Sequence, residues 1–320
     1  MLTRCQIVND DGPPSPYSPV IQPFVAALQA AGHRCSVVLP HIPRSWISKA
    51  HIRNADVEAE YFDPLLNVEE RNCALDEAKS KSKWVRVTCS PAGCVQLGLF
   101  HLFEDREPVD LVISGPNHGR NATAISNLCS GTVGGAMEAA LCRKKAIALS
   151  FAFKKSEQNS DVVIEATSKV AVKVIESLYS RWDNRVELYN VNLPPLYGAA
   201  SPAAVYTSVL RNHWTSPSFY ISLDNSRETT EPATAGGVAI LSDRVSKTNA
   251  QGDTSVAGVD SVNYGKRKFK WAPQKSDVLR SMVEATSGTD GWAIQQGFIR
   301  QALTPPSISN GATSPISVGD

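Results

Sequence analysis

The chain has 320 residues, 42% of them hydrophobic, with 32 basic and 31 acidic side chains and a formal net charge of +1. That length and apolar content suffice for a large buried core, as one big domain or a domain with an appendage. The near-neutral balance gives no electrostatic footprint for nucleic acid, and no apolar run approaches the length needed to span a bilayer.

Residues 4–9 read as a first strand, which stops at Asn9-Asp10-Asp11-Gly12. Between Tyr17 and Ala31, the residues Val20, Ile21, Phe24, Leu28 and Ala31 recur at helical spacing. Pro16, Pro19 and Pro23 require that helix to begin late, because proline suits a first turn and not an interior. Gly32 stops it and Cys35–Leu39 form a second strand, so the opening is a β-α-β unit with a right-handed crossover. The charged stretch from about 50 to 82 carries no pattern that assigns it. Trp84–Thr88 resumes as a strand, Pro91–Phe103 reads as a helix and Leu111–Ser114 as a buried strand. A small-residue helix over Gly131–Cys142 and a strand over Ala146–Ser150 follow. Val163, Val170, Val174 and Leu178 then share one face of a long helix, before a strand over Val186–Val191.

Strands alternating with helices at this spacing predict an α/β fold: a three-layer αβα sandwich with a mainly parallel, Rossmann-like sheet. A smaller C-terminal extension is expected after it. The expected division is a core over 1–220 and a flexible polar insertion over 221–262, rich in Ser, Thr, Gly, Asp and Asn. Residues 263–302 form the extension that completes the fold, and 303–320 a disordered tail. The seven cysteines are scattered and include no C-x-x-C pair, which argues against a disulfide framework or a zinc site. The N-terminus reaches Asn9-Asp10 too soon to hold a signal peptide's apolar region, so a cytoplasmic location is expected.

Chemistry concentrates in loops that follow strands, where α/β sheets bind ligands. Asp10 and Asp11 offer hard oxygen donors suited to Mg²⁺, Mn²⁺ or Ca²⁺, although the same residues make ordinary turns. Arg44-Ser45-Trp46 adds a hydroxyl after the second strand. Ser114-Gly-Pro-Asn117-His118-Gly119-Arg120-Asn121 supplies amides and exposed backbone after the buried strand. Ser130-Gly131-Thr132 opens a helix and is either an anion site or a plain N-cap. His118 is a candidate general acid or a loop spacer, with the spacer favoured. Trp46, Tyr220 and Trp271 are candidates for nucleobase stacking or for packing.

Together these motifs resemble the SurE survival proteins, divalent-metal-dependent nucleotidases and phosphatases. The resemblance is carried by Asn9–Gly12, Arg44-Ser45, Ser114-Gly-x-Asn117-x-Gly-x-Asn121, Ser130-Gly-Thr-Val133, Asn190-Val-Asn-Leu-Pro194, and Thr289-Asp290 with Gly297-Phe298. Gly12-Pro-Pro-Ser-Pro and the long insertion look like the fungal branch of that family. The resemblance implies a phosphomonoester hydrolase acting on nucleoside monophosphates or related small phosphate esters with one divalent cation, Mg²⁺ or Mn²⁺. It implies Asp10, Asp11, Ser45 and Asn117 as metal ligands, with Asp10, Asp11 and Asn117 central to catalysis. Gly12, Asn121, Ser130, Gly131 and Thr132 would then hold phosphate. It also implies a homodimer through the C-terminal extension, with no nucleic-acid or membrane partner. Two departures stand out. Gly297-Phe298-Ile299 runs into Arg300-Gln-Ala-Leu-Thr-Pro-Pro306, predicting an altered or lost final strand, and Cys5-Gln6 replaces the usual aliphatics in the first. A sugar-nucleotide-binding transferase and a catalytically silent binding protein on the same fold are the alternative readings.

Overall fold

The computed structural model describes residues 3–65, 84–103, 106–153, 160–196, 203–215, 218–223, 267–273 and 276–303, with backbone only for 300–303. The expected insertion beyond residue 223, the tail beyond 303 and most of the second half of the unassigned 50–82 stretch lie outside these residues.

Six strands form the parallel body of the sheet: β1 (Arg4–Val8), β2 (Arg34–Pro40), β4 (Trp84–Val87), β5 (Leu111–His118), β6 (Lys145–Phe151) and β7 (Leu188–Leu193). They stand in the order β4-β2-β1-β5-β6-β7, so β1 is central and the topology reverses beside it. Antiparallel β3 (Ala59–Phe62) closes one edge against β4. At the other edge β11 (Ile299–Leu303) runs antiparallel to β7 and parallel to β8 (Ala204–Thr207). The closing strand is therefore retained, because backbone pairing to β7 does not need the family's usual side chains.

Both faces of the parallel strands are apolar, as helices on each side require. Val37, Leu39, Ile113, Ile147 and Leu149 face a layer made by α1 (Ile21–Ala30) and α5 (Asp161–Ser180). Val38, Val112, Ala146 and Ala148 face the opposite layer, α2 (Pro91–Phe100) and α4 (Gly131–Leu141). Strand periodicity of two thus sorts large side chains to one face and several small ones to the other. The small residues suit α4, whose own buried residues are mostly Gly, Ala and Thr. α1 begins at Ile21, as its prolines require, and Phe24 packs edge-on to Phe151 with ring centroids 6.3 Å apart.

Several short elements escaped the periodic reading, among them β3, β8 and α3 (Ala124–Cys129). Each of these three has six residues or fewer, too short for a hydrophobic period to register. α3 is set instead by its cap: Thr123 Oγ1 accepts from Ser126 N–H at 3.1 Å, and Ser126 Oγ accepts from Thr123 N–H at 2.9 Å.

The chain divides into two compact units, Met1–Thr215 with Ser276–Asp320, and Ser216–Lys275. The first also holds α6 (Ser276–Val283) and α7 (Asp290–Gln295). In the second, β9 (Tyr220–Ser222) pairs antiparallel with β10 (Phe269–Trp271), and Tyr220 meets Trp271 edge-on at 5.4 Å. Among the described residues, no helix is long and apolar enough to cross a membrane.

Candidate active site beyond the central strands

β1 delivers the acidic pair. Asn9 is fully buried and closes the turn with its own side chain, accepting from Gly12 N–H at 3.0 Å and donating to Gly12 O at 2.9 Å. Ser18 Oγ also donates to Gly12 O, at 3.1 Å, tying the turn to the entrance of α1. This lock fixes the directions of Asp10 and Asp11, which immediately follow β1.

Asp10 points at the start of α4. Thr132 Oγ1 donates to its Oδ1 at 2.6 Å, and the backbone N–H groups of Gly131 and Thr132 turn to the same carboxylate. A hydrogen bond to a charged group contributes about 1.5–3 kcal/mol. The helix terminus adds its partial positive charge. Gly131 is required here, because a Cβ would stand 2.7 Å from Asp10 Cβ and 3.0 Å from its Oδ2. Ser130 serves as the N-cap, its Oγ accepting from Val133 N–H at 3.1 Å. This helix terminus thus grips the Asp10 carboxylate.

Asp11 is held by the loop after β5. The β5–β6 register breaks between Ser114 and Asn117, where the Gly115–Pro116 peptide is cis. Beyond the break, His118 N–H donates to Asp11 Oδ2 at 2.7 Å, so His118 contributes through its backbone. Its ring packs edge-on to Phe153, centroids 6.2 Å apart, and burial pulls its pKa below the ordinary histidine value against an opposing hydrogen bond to the Tyr17 backbone. Asn117 Nδ2 donates to Gly119 O at 2.9 Å, which leaves the amide carbonyl oxygen as its acceptor.

The third loop follows β2. Arg44 N–H donates to Asp10 O at 2.7 Å, bringing exposed Ser45 to the acidic turn. Trp46 and Ser48 then adopt φ of 68° and 56°, the left-handed region, at about 1–3 kcal/mol each. Trp46 stacks on Trp214 with centroids 6.0 Å apart, an aromatic pair that sequence spacing could not reveal.

Asn121 is buried beside the site in a network of amides. Its N–H donates to Asn192 Oδ1 at 2.8 Å and its Nδ2 to Ser150 Oγ at 3.0 Å. Asn190 Nδ2 donates to Asn121 O at 3.2 Å and to Asn127 Oδ1 at 3.0 Å. The Asn-Val-Asn pattern on β7 was the sequence signal for this network, since alternate residues share a face.

Burial raises the pKa of Asp10, and raises that of Asp11 well above the ordinary value, the charge of Asp10 adding to the effect on Asp11. Neither carboxylate has an ion-pair partner among the described residues. Nor do three His, Cys, Asp or Glu side chains cluster there. Adjacent buried and half-buried carboxylates, flanked by a hydroxyl and an amide oxygen, fit a hard divalent cation, which would relieve the repulsion between them and keep waters in its open positions. Gly12, Ser45, Asn121, Ser130, Gly131 and Thr132 lie in the loops or helix start that follow β1, β2 and β5, and Asn117 in the last residues of β5, all at the carboxyl ends of these strands.

Residues 5–216 match the family model described as Survival protein SurE. Over 203 residues the chain is 34% identical to the 5'-nucleotidase SurE of Ruegeria pomeroyi, spanning 61% of this chain and 69% of that protein. It is also 34% identical over 252 residues to a Saccharomyces cerevisiae protein named probable tubulin–tyrosine ligase PBY1, covering 70% of this chain. That match spans 33% of the yeast protein, so the chain corresponds to about a third of its length. The SurE protein of Aquifex aeolicus has the same fold, with a TM-score of 0.58 at 20% identity over 96% of this chain and 95% of that one. The chain belongs to the SurE family.

Proposed function

We propose that this protein is a divalent-metal-dependent phosphomonoester hydrolase acting on nucleoside monophosphates or related small phosphate esters. The observation that carries the reading is the Asp10–Asp11 pair, buried and half-buried respectively, without a cationic partner among the described residues and converged on from β2 and β5 and by the start of α4. The names of bacterial relatives, 5'-nucleotidase SurE, support the same chemistry. The yeast relative's name does not carry over, because the match covers only 33% of that protein.

In this reading Asp10, Asp11, Ser45 and Asn117 hold one Mg²⁺ or Mn²⁺ through oxygen atoms. Bound there, the ion supplies a Lewis acid toward a phosphoryl oxygen and lowers the pKa of a water. Thr132 and the first amides of α4 aim Asp10 and oppose the rise in its pKa, while His118 N–H does the same for Asp11. Asn121, Ser130, Gly12, Gly131 and Thr132 line the phosphate position, so catalysis is positioning and electrostatic stabilisation. A cytoplasmic setting and a homodimer through the C-terminal extension belong to the same proposal.

The test is phosphate release from p-nitrophenyl phosphate and a panel of nucleoside monophosphates and sugar phosphates, with Mg²⁺, Mn²⁺ or EDTA. Release that needs the metal and stops in EDTA is expected. Tight nucleotide-sugar binding without release would point to the transferase reading, and no metal-stimulated hydrolysis to a silent binding protein.

A further inference from the structure

The loop from Arg44 to His51 lies along α4 and is fastened to it at a point remote from the acidic pair. Near its start, a Cβ on Gly131 would meet Ile47 Cγ2 at 3.0 Å. Further along, a Cβ on Gly134 would stand 2.3 Å from Ser48 O and 2.8 Å from Lys49 N, so the loop backbone rests directly on the helix. Ser48 N–H donates to Cys129 O at 3.1 Å. The last fastening is Glu138, 5% exposed, with Lys49 Nζ 2.6 Å and His51 Nε2 3.3 Å from its Oε2. From α2, Gln96 Nε2 donates to its Oε1 at 2.5 Å. Burial alone would raise the pKa of Glu138; its bonds to Lys49, Gln96 and His51 outweigh that and hold the carboxyl below its ordinary value.

Trp46 and Ser48, both with positive φ, sit between the Arg44 N–H bond to Asp10 O and the ion pairs of Lys49 and His51 to Glu138. A bulky residue keeps such a backbone only where its surroundings over-determine it. At the loop's other end Ser45 adjoins Arg44, whose N–H is bonded to Asp10 O. Strain in the middle would spring the loop from the helix if the Lys49 end were released.

We propose that Glu138 is a positioning residue for the metal site: its carboxylate, through Lys49 and His51, holds the strained loop so that Ser45 stays at Asp10. The inference rests on the reading of Ser45 as a ligand of a divalent cation. Glu138 touches neither of the carboxylates in the contacts described and acts only through the loop.

The probe is Mn²⁺ alone, titrated against the full chain and followed by electron paramagnetic resonance, with thermal unfolding measured in parallel. Glu138→Gln and Lys49→Ala are expected to weaken Mn²⁺ binding by at least about tenfold, as loss of groups that orient metal ligands does. Lys49→Arg keeps the ion pair and should bind within about threefold of wild type by the same scale. Gly134→Ala reaches the loop from beneath. Alanine favours the helix itself, so its expected loss of Mn²⁺ affinity would come from pushing Ser48 away. Lys49 lies on the surface loop, so its variants remain measurable where a Glu138 variant does not fold. Wild-type affinity in Lys49→Ala and Gly134→Ala would overturn the inference while leaving the metal site standing. A wild-type chain that binds no Mn²⁺ would overturn both.

Discussion

Asn121 beyond β5, Ser150 on β6 and Asn190 and Asn192 on β7 are buried, neutral and hydrogen-bonded to one another. Beyond β1, Asp10 is as deeply buried and Asp11 half-buried; desolvation raises both pKa values, the charge of Asp10 adding to the effect on Asp11. The first cluster resolves its polar burial internally, as structural networks do. The second leaves its charge uncompensated, which a folded chain tolerates where a ligand completes the site. The contrast separates scaffold from chemistry within one sheet edge, and substitutions on the two sides should behave differently.

The largest effect is expected at Asp11. Asp11→Asn keeps the shape and the acceptor for His118 N–H but removes a charge, and metal-dependent phosphate release should fall at least about a hundredfold. Because that charge repels Asp10, the metal-free variant should unfold at a temperature equal to or above wild type. Activity and stability would then move apart. Near-wild-type turnover would remove Asp11 from the site.

Asn192→Leu tests the other side. It leaves Asn121 N–H without its acceptor and Asn190 Oδ1 without its donor, at about 1–3 kcal/mol for each unpaired group. Urea denaturation should show the loss directly, with activity falling only as the Asn121 loop loosens. Stability near wild type would mean that the network is not the scaffold argued here.

The two regions were unequally legible in the sequence. The acidic turn was visible because a strand-length apolar run ends in adjacent carboxylates, and the amide-rich loop because its glycines follow a buried strand. What joins them was not visible. The Thr132 hydroxyl bond to Asp10 crosses 122 residues and the His118 N–H bond to Asp11 crosses 107, and no local pattern encodes such pairings. Glu138 was read simply as part of a small-residue helix, because its partners Lys49 and His51 fall at the start of a charged stretch without period. The parallel body of the sheet was readable because its strands are mainly apolar runs spaced by helical patterns. β3 and β8 were not, being four-residue strands whose place is set by neighbours.

pH supplies a further way to separate the clusters. The carboxyls of Asp10 and Asp11 titrate above the ordinary aspartate value in the folded metal-free chain. In the window between the ordinary and the raised values, the folded state binds more protons than the unfolded one. Stability from this pair is therefore present at acid pH and lost as pH rises through the folded values. Mn²⁺ should raise the melting temperature more at mildly alkaline pH than at mildly acidic pH. The difference should vanish in an Asp10→Asn, Asp11→Asn double variant. Asn192→Leu, which carries no titrating group, should leave the pH dependence of the Mn²⁺ effect intact.

The smallest effect is expected at His118, whose bond to the acidic pair is made by its backbone. Burial lowers the pKa of its ring, so at neutral pH the imidazole is largely neutral and poorly suited to donate a proton. His118→Asn retains the backbone N–H and should reduce kcat by less than about tenfold. A general acid would be worth about 10²–10⁴. The decisive comparison uses two leaving groups. p-Nitrophenolate departs without help, whereas an alkoxide from a sugar phosphate needs protonation as the bond breaks. A loss confined to the sugar phosphate would make His118 the acid, and an equal, small loss with both would leave it a spacer that presents its N–H to Asp11.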